Sequence, residues 1–297
     1  MRVFVTGASG WIGSAVTHEL IAHDHKVVGL ARSDSSAAAL AAAGATVHRG
    51  DLEDPDSLAV AAATADAVVH LAFKHDFDDF AAAGRTERAA LLAMLGALEG
   101  TGRPFLFASG LASGQGGRLT EEQASPFEGP DSMRGGGENL ALSYAERGVR
   151  PVAIRFAPTV HGVGDGGFTA RLAAIAVERG AAGYVGEGTT SWAAVHRSDA
   201  ARLVRLALDR APAGSRMHAV GEEAIASRDI AAALGAHLGL PVVSVAPEAA
   251  AAHFGWIGHF FGSEASASNQ ITRETLGWAP TGPTLFEDIA AGVYPGR

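Results

Sequence analysis

The sequence predicts an α/β fold, a doubly wound parallel sheet followed by a smaller C-terminal lobe, and three observations carry that expectation. Short β-rich apolar runs alternate with helical patterns from residue 2 to residue 108. The first run leads directly into a glycine-rich turn that opens a helix. At 297 residues the chain also exceeds the roughly 150 residues of an ordinary domain, which leaves length for a second lobe.

Residues 2–5 form an apolar run ending in Thr6-Gly7-Ala8-Ser9-Gly10-Trp11-Ile12-Gly13, after which Ile12, Val16 and Leu20 recur at helical spacing. Residues 26–30 are β-rich again, so strand, turn, helix and strand fit within about 30 residues, the size of a βαβ unit. Glycine suits such a turn because the backbone bends sharply and must let a pyrophosphate come close, while the helix N-terminus offers free N–H groups. The second strand ends in Arg32-Ser33-Asp34. A carboxylate at that tip holds the ribose 2′-hydroxyl of NAD, whereas an arginine accepts a 2′-phosphate, so Arg32 and Ser33 favour NADP(H) over NAD(H). A third strand at 46–48 leads to Asp51, placed for an adenine amino group, and to Asp54-Pro55, an N-cap followed by proline at the first helical position. Strands at 67–71 and 104–108 flank a helix over 78–99, and the fifth strand ends at Ser109. Ligands of such sheets bind beyond the carboxyl ends of the strands, which brings the glycine turn, His75 and Ser109 to one side.

The second half continues with a strand at 151–157, a helix at 168–180, short strands near 184–185 and 194–196, and helices at 199–210 and 228–238 around a strand at 217–220. Residues 1–160, joined again by 190–222, are expected to form the dinucleotide-binding domain, with 161–189 and 223–297 as the substrate-binding lobe. The aromatics of 254–261 suit either core packing or a cover over an apolar substrate.

Composition narrows the function. A hydrophobic share of 47% and a charged share of 19% are those of a soluble globular protein. The net charge of −9 argues against a nucleic-acid partner. The absence of cysteine excludes disulfides, thiol nucleophiles and cysteine-ligated metal centres. No signal peptide and no apolar run of about 18 residues is visible, so a cytoplasmic protein with no membrane partner is expected. His18, His23 and His25 form no H-E-x-x-H arrangement, and no metal site is expected. The chain has only two lysines, Lys26 and Lys74, and three tyrosines, Tyr144, Tyr184 and Tyr294.

Six segments together resemble the extended short-chain dehydrogenase/reductase superfamily, which includes the NAD-dependent epimerase/dehydratase enzymes of sugar nucleotides. They are TGASGWIG at 6–13, Asp51-Leu52, HLAF at 70–73, FASGLASG at 107–114, IRFAPTVHG at 154–162 and AVHRSDAARL at 194–203; LGWAP at 276–280 is similar to the superfamily's C-terminal ending. The resemblance covers nearly the whole chain and implies a Rossmann fold with a nicotinamide cofactor. In that superfamily a serine after the fifth strand orients the substrate oxygen, and Ser109 matches it. A tyrosine of a Y-x-x-x-K motif exchanges the proton, and its lysine holds the nicotinamide ribose. Here Pro130 and Arg134 stand at those two positions, a departure similar to an atypical subgroup that lacks the dyad.

The catalytic candidates are accordingly Ser109, Arg134, and the histidines His161 and His75, whose unperturbed pKa of about 6.5 suits proton transfer. His196 is a weaker candidate. Arg134 supplies fixed charge but no proton. Cofactor contacts are expected from Gly7, Ser9, Gly10, Trp11, Ile12, Gly13, Arg32, Ser33, Asp51, Leu52, Leu71, Ala72, Phe73, Arg134 and Pro158, and substrate contacts from Ser109, Tyr184 and Trp192. The function expected first is NADP-dependent hydride transfer to a small, fairly apolar carbonyl or imine. A non-redox NADP-binding cyclase, isomerase or redox sensor comes second, and a sugar-nucleotide epimerase or dehydratase third. A homodimer is the default assembly.

Overall fold

The computed structural model describes residues 1–74, 79–111 and 117–295. Seven strands form one parallel sheet: β1 (Arg2–Thr6), β2 (Lys26–Ala31), β3 (Thr46–Arg49), β4 (Ala67–His70), β5 (Pro104–Gly110), β6 (Arg150–Phe156) and β10 (Ser215–Ala219). Their order is β3-β2-β1-β4-β5-β6-β10, with β1 pairing β2 on one edge and β4 on the other. The order reverses at β1/β4, which opens the crevice in which doubly wound folds hold their ligands. The predicted α/β class and doubly wound parallel sheet are thus observed.

Period-two alternation sorts the strand residues between two helical layers. Val3 and Val5 face one apolar cluster with Val16 and Leu20 of α1 (Trp11–Ala22) and Leu203, Val204 and Leu208 of α7 (Arg197–Arg210). Phe4, between those valines, faces the other with Leu58 of α3 (Pro55–Ala63) and Leu91, Met94, Leu95 and Leu98 of α4 (Phe80–Leu98). Each such buried side chain contributes about 1.5–3 kcal/mol, so the C-terminal half of α4 is firmly anchored. The start of α3 is as the sequence predicts: Pro55 occupies the first turn and the Asp54 carboxylate accepts from Ser57 N at 3.1 Å. A short helix, α2 (Asp34–Ala42), follows Ser33 directly, and Ser33 caps it by accepting from Ser36 N at 3.2 Å.

The remaining strands build two small sheets. β7 (Thr159–His161), β9 (Ser191–His196) and β11 (Glu222–Ala226) form one, and β8 (Ala182–Val185) with β12 (Val242–Val245) forms the other. Helices α6 (Phe168–Arg179), α8 (Ser227–Leu238), α9 (Ala250–Phe254), α10 (Gly258–Phe261) and α12 (Leu285–Ala290) pack on them around Trp192, Phe254, Phe261 and Tyr294. Residues 190–222 therefore divide, β9 going to a small sheet and β10 to the large one. Between β5 and β6 lies α5 (Gly137–Ser143), and α11 (Gln270–Leu276) packs near β10. Among the described residues no helix is long and apolar enough to cross a membrane.

Candidate active site

The turn between β1 and α1 is shaped by close backbone contacts. Gly7 has φ of +65°, and a Cβ there would stand 2.8 Å from Ala72 N. A Cβ on Gly13 would stand 2.0 Å from Gly7 O, so only glycine lets α1 sit this near the turn. Gly10 differs: its φ is −75°, and a Cβ would meet only Gly7 O, at 3.1 Å. Open space beyond that Cβ position, and a helix start with no side-chain cap, give the cradle that a dinucleotide pyrophosphate fits. The turn is braced from behind. His70 Nδ1 and Thr6 Oγ1 share a 2.7 Å hydrogen bond, and Thr6 Oγ1 accepts from Ala72 N at 3.2 Å. Burial, helped by the charge of Arg134, pulls the His70 pKa down to about 3, so the ring stays neutral.

Trp11 and the start of α1 are tied to α7, a contact that the sequence alone does not indicate. Arg197 Nε donates to Trp11 O at 2.6 Å, its guanidinium lies 4.1 Å from the indole centroid, and it hydrogen-bonds Ser14 Oγ. Trp11 Nε1 in turn donates to Val160 O at 2.8 Å. Just beyond β2, Arg32 is three-quarters exposed, with Asp51 Oδ2 3.8 Å from its Nε. Asp34, the carboxylate that competes with Arg32 for a ribose, is instead paired with Arg49. Asp51 also accepts from Glu53 N at 3.1 Å, and Leu52 is buried beside it.

A cavity of about 530 Å3 continues from this turn past the ends of β4, β5 and β6. Ile12, Leu71, Phe73 and Pro158 line the side next to the glycine turn, and Phe127, Met133, Phe168, Trp192 and Phe260 its outer side. Ser109, Arg134, Glu138 and Arg155 supply its polar wall. Trp192 is held by donating to Phe260 O and Ser263 O, both at 3.2 Å, and Phe168 packs between Trp192 (5.5 Å) and Phe260 (6.3 Å).

The polar wall rests on two ion pairs absent from the sequence expectations. Arg155, 2% exposed, meets Glu138 through Nε–Oε2 (3.0 Å) and Nη2–Oε1 (2.5 Å). Burial alone would raise the Glu138 pKa, but hydrogen bonds from Arg155 and the Ser109 hydroxyl, with the charges of Arg155 and Arg216, outweigh it and leave the carboxyl below its usual range. The carboxylate form of Glu138 is therefore favoured beside Ser109. Arg134 Nε donates to Glu87 Oε2 at 3.2 Å while Nη2 pairs with Oε1. Burial pushes the Glu87 carboxyl up to about 7 against the pull of Arg134. Two of the three glycines after Arg134 have a conformational cause: Arg134, Gly135 and Gly136 adopt left-handed backbone angles, while Gly137 opens α5 with ordinary helical angles and lies where a Cβ would stand 3.0 Å from the Phe107 ring.

Three of the expected residues have other surroundings in the structure. His161 is fully buried in β7, its Nδ1 2.6 Å from Asp288 Oδ2, with His196 and Glu222 around it and no part in the cavity wall. Replacing His161 by alanine is expected to remove about 1.5–3 kcal/mol of stability, as for a hydrogen bond to a charged group, and to leave dinucleotide affinity unchanged. Urea denaturation and a binding titration check the two halves of that statement. Tyr184 lies in the two-stranded sheet opposite Ser244, also outside the cavity. Ser33 is engaged as the cap of α2, leaving Arg32 as the more available group at the strand tip. His75 lies outside the described residues. Tyr144 is buried against α4, Tyr294 bonds Asp165 at 2.7 Å, and Lys74 pairs with Glu53. No tyrosine, lysine or histidine is among the described residues that line the cavity.

A family model described as the NAD dependent epimerase/dehydratase family matches residues 3–220. Uncharacterized protein YLL056C of Saccharomyces cerevisiae is 43% identical over 98% of this chain and 98% of its own. Uncharacterized protein C2A9.02 of Schizosaccharomyces pombe is 42% identical over 99% of this chain and all of its own. In three dimensions the chain is similar to DesIV, the dTDP-glucose 4,6-dehydratase of Streptomyces venezuelae solved with NAD bound. That likeness has a TM-score of 0.76 and 23% identity, covering 99% of this chain and 96% of that one. With its sheet order, its glycine cradle and the match over most of its length, the chain belongs to the NAD dependent epimerase/dehydratase family.

Proposed function

We propose that the protein is an NADP(H)-dependent oxidoreductase that reduces a small, apolar carbonyl or imine without a tyrosine proton donor. The observation that carries this reading is the cavity itself. It joins the glycine cradle to an aromatic outer half, and its charged groups, among the described lining residues, are confined to the wall beside Ser109. The N-terminus of α1 and Gly10 would hold the cofactor's pyrophosphate and Arg32 its 2′-phosphate, and the nicotinamide, when bound, would supply a hydride. Ser109, whose hydroxyl donates to the Glu138 carboxylate in the free protein, would turn that one proton to the substrate oxygen and orient it. Arg134 offsets the negative charge that grows on that oxygen, and water reaching the cleft delivers the proton.

The absence of tyrosine, lysine and histidine from the described lining also favours a second reading, a non-redox cyclase, isomerase or redox sensor that keeps NADP(H) bound. Sugar-nucleotide epimerisation or dehydration ranks below both, because the outer half offers no described cation to a substrate diphosphate. Fluorescence titration with NADPH and NADH tests the cofactor. Wild type is expected to favour NADPH, and Arg32→Asp to lose about 1.5–3 kcal/mol of NADPH affinity, roughly ten- to hundredfold, with NADH binding kept or improved. Equal affinities in wild type, untouched by the substitution, remove the NADP assignment.

A further inference from the structure

Helix α4 carries Gly84, Glu87 and Arg88 within about one turn, and all three meet the left-handed turn formed by residues 134–136. A Cβ on Gly84 would stand 3.0 Å from Gly135 N, and one on Gly135 would stand 2.7 Å from Gly84 O, so helix and turn touch backbone to backbone. Arg88 Nη1 donates to Gly135 O at 2.8 Å. Arg134 itself has φ of +54°, a conformation that costs an L side chain energy and persists only when its surroundings impose it. Those surroundings are specific. The guanidinium carbon lies 4.5 Å from the Phe73 ring centroid and 5.4 Å from that of Phe107, and Glu87, 1% exposed, takes Nε and Nη2 as a fork.

The topology says which part of a ligand this device faces. A dinucleotide in a doubly wound fold lies across the crevice where strand order reverses, here at β1/β4. Arg32, at the end of β2, marks the adenine half. Phe73 follows β4 and Phe107 belongs to β5, so Arg134 stands on the opposite half. We propose that Glu87 is a positioning residue: it fixes the Arg134 guanidinium at the nicotinamide-riboside end of the cleft, where the arginine hydrogen-bonds the ribose hydroxyls. This inference rests on NADP(H) being the cofactor. Arginine suits the task because its planar fork satisfies a carboxylate on one edge while keeping donors on the other, which a lysine ammonium does not do.

The test uses purified wild-type protein and the Glu87→Gln, Arg134→Gln and double variants, titrated with NADPH and separately with 2′,5′-ADP, which lacks the nicotinamide riboside. Glutamine nearly matches the shape of glutamate. Glu87→Gln is expected to weaken NADPH binding about tenfold, as for loss of one charge-assisted hydrogen bond, and to leave 2′,5′-ADP affinity unchanged. In the Arg134→Gln background the same substitution is expected to add nothing to the NADPH loss. A purely structural role for Glu87 would lower the melting temperature and affect both ligands alike, and that result overturns the proposal. So does a Glu87→Gln variant with wild-type NADPH affinity, or one whose loss persists when Arg134 is gone. Failure of wild type to bind either ligand overturns the cofactor reading itself, a different outcome from failure of the variant to differ.

Discussion

Gly10→Ala is expected to leave the fold intact and to cost the protein most of its cofactor affinity, about tenfold or more. The backbone at Gly10 is one that alanine adopts readily, and the added Cβ would press only on Gly7 O at 3.1 Å. What the methyl group occupies is the open side of the turn, where the pyrophosphate must approach the helix N-terminus closely. Gly13→Ala is the control with the opposite balance. Its Cβ, 2.0 Å from Gly7 O, cannot be placed without moving α1, so melting temperature and affinity are expected to fall together. Thermal denaturation and NADPH titration of the two variants separate the effects. A Gly10→Ala protein that binds as tightly as wild type would place the pyrophosphate elsewhere.

Glu138→Ala is expected to destabilise the protein by about 3–5 kcal/mol, the range for removing one partner of a buried ion pair. Arg155 would keep its bond to Gln123 O at 2.8 Å and its 3.4 Å approach to His218, but its charge would lose the carboxylate that grips it at two points. Arg216, whose Nε lies 3.1 Å from Glu138 Oε1, would lose the same partner. Ser109→Ala provides the comparison: it removes one hydrogen bond to the Glu138 carboxylate and leaves the ion pair, so it is expected to cost less, about 1.5–3 kcal/mol at most. Chemical denaturation of both variants checks the difference, and equal midpoints would mean that the pair adds little.

The large sheet was legible because its signals are local. The 6–13 turn follows a strand and opens a helix, and Asp54-Pro55 announces α3 within two residues. Ser109 and Trp192 could be placed in the cleft for a related reason, since both stand on or beside strands whose ends define it. The errors come from contacts made at long range. Asp288 lies 127 residues from His161, and nothing near the histidine in sequence reveals the partner that buries it. Glu87 sits mid-helix, 47 residues before Arg134, and reads as an ordinary solvated position until the turn at 134–136 folds against α4. The glycines after Arg134 are the available signal: Gly135 and Gly136 take the left-handed backbone that glycine adopts most readily, just before α5 begins. Helix α2 was missed because its alanine-rich stretch shows little amphipathic pattern, with Leu40 its one buried residue.

The account stands or falls on hydride transfer without a tyrosine. The measurement that tests it most directly is a screen of apolar carbonyls and imines with NADPH carrying deuterium at the transferable position, one stereochemical form at a time, followed by mass analysis of the products. The account predicts that one form, and only one, passes its deuterium to carbon in a reduced product, and that Ser109→Ala slows this transfer. Tight NADPH binding with no label entering any product from either form would contradict it, and would make the protein a non-redox holder of its cofactor.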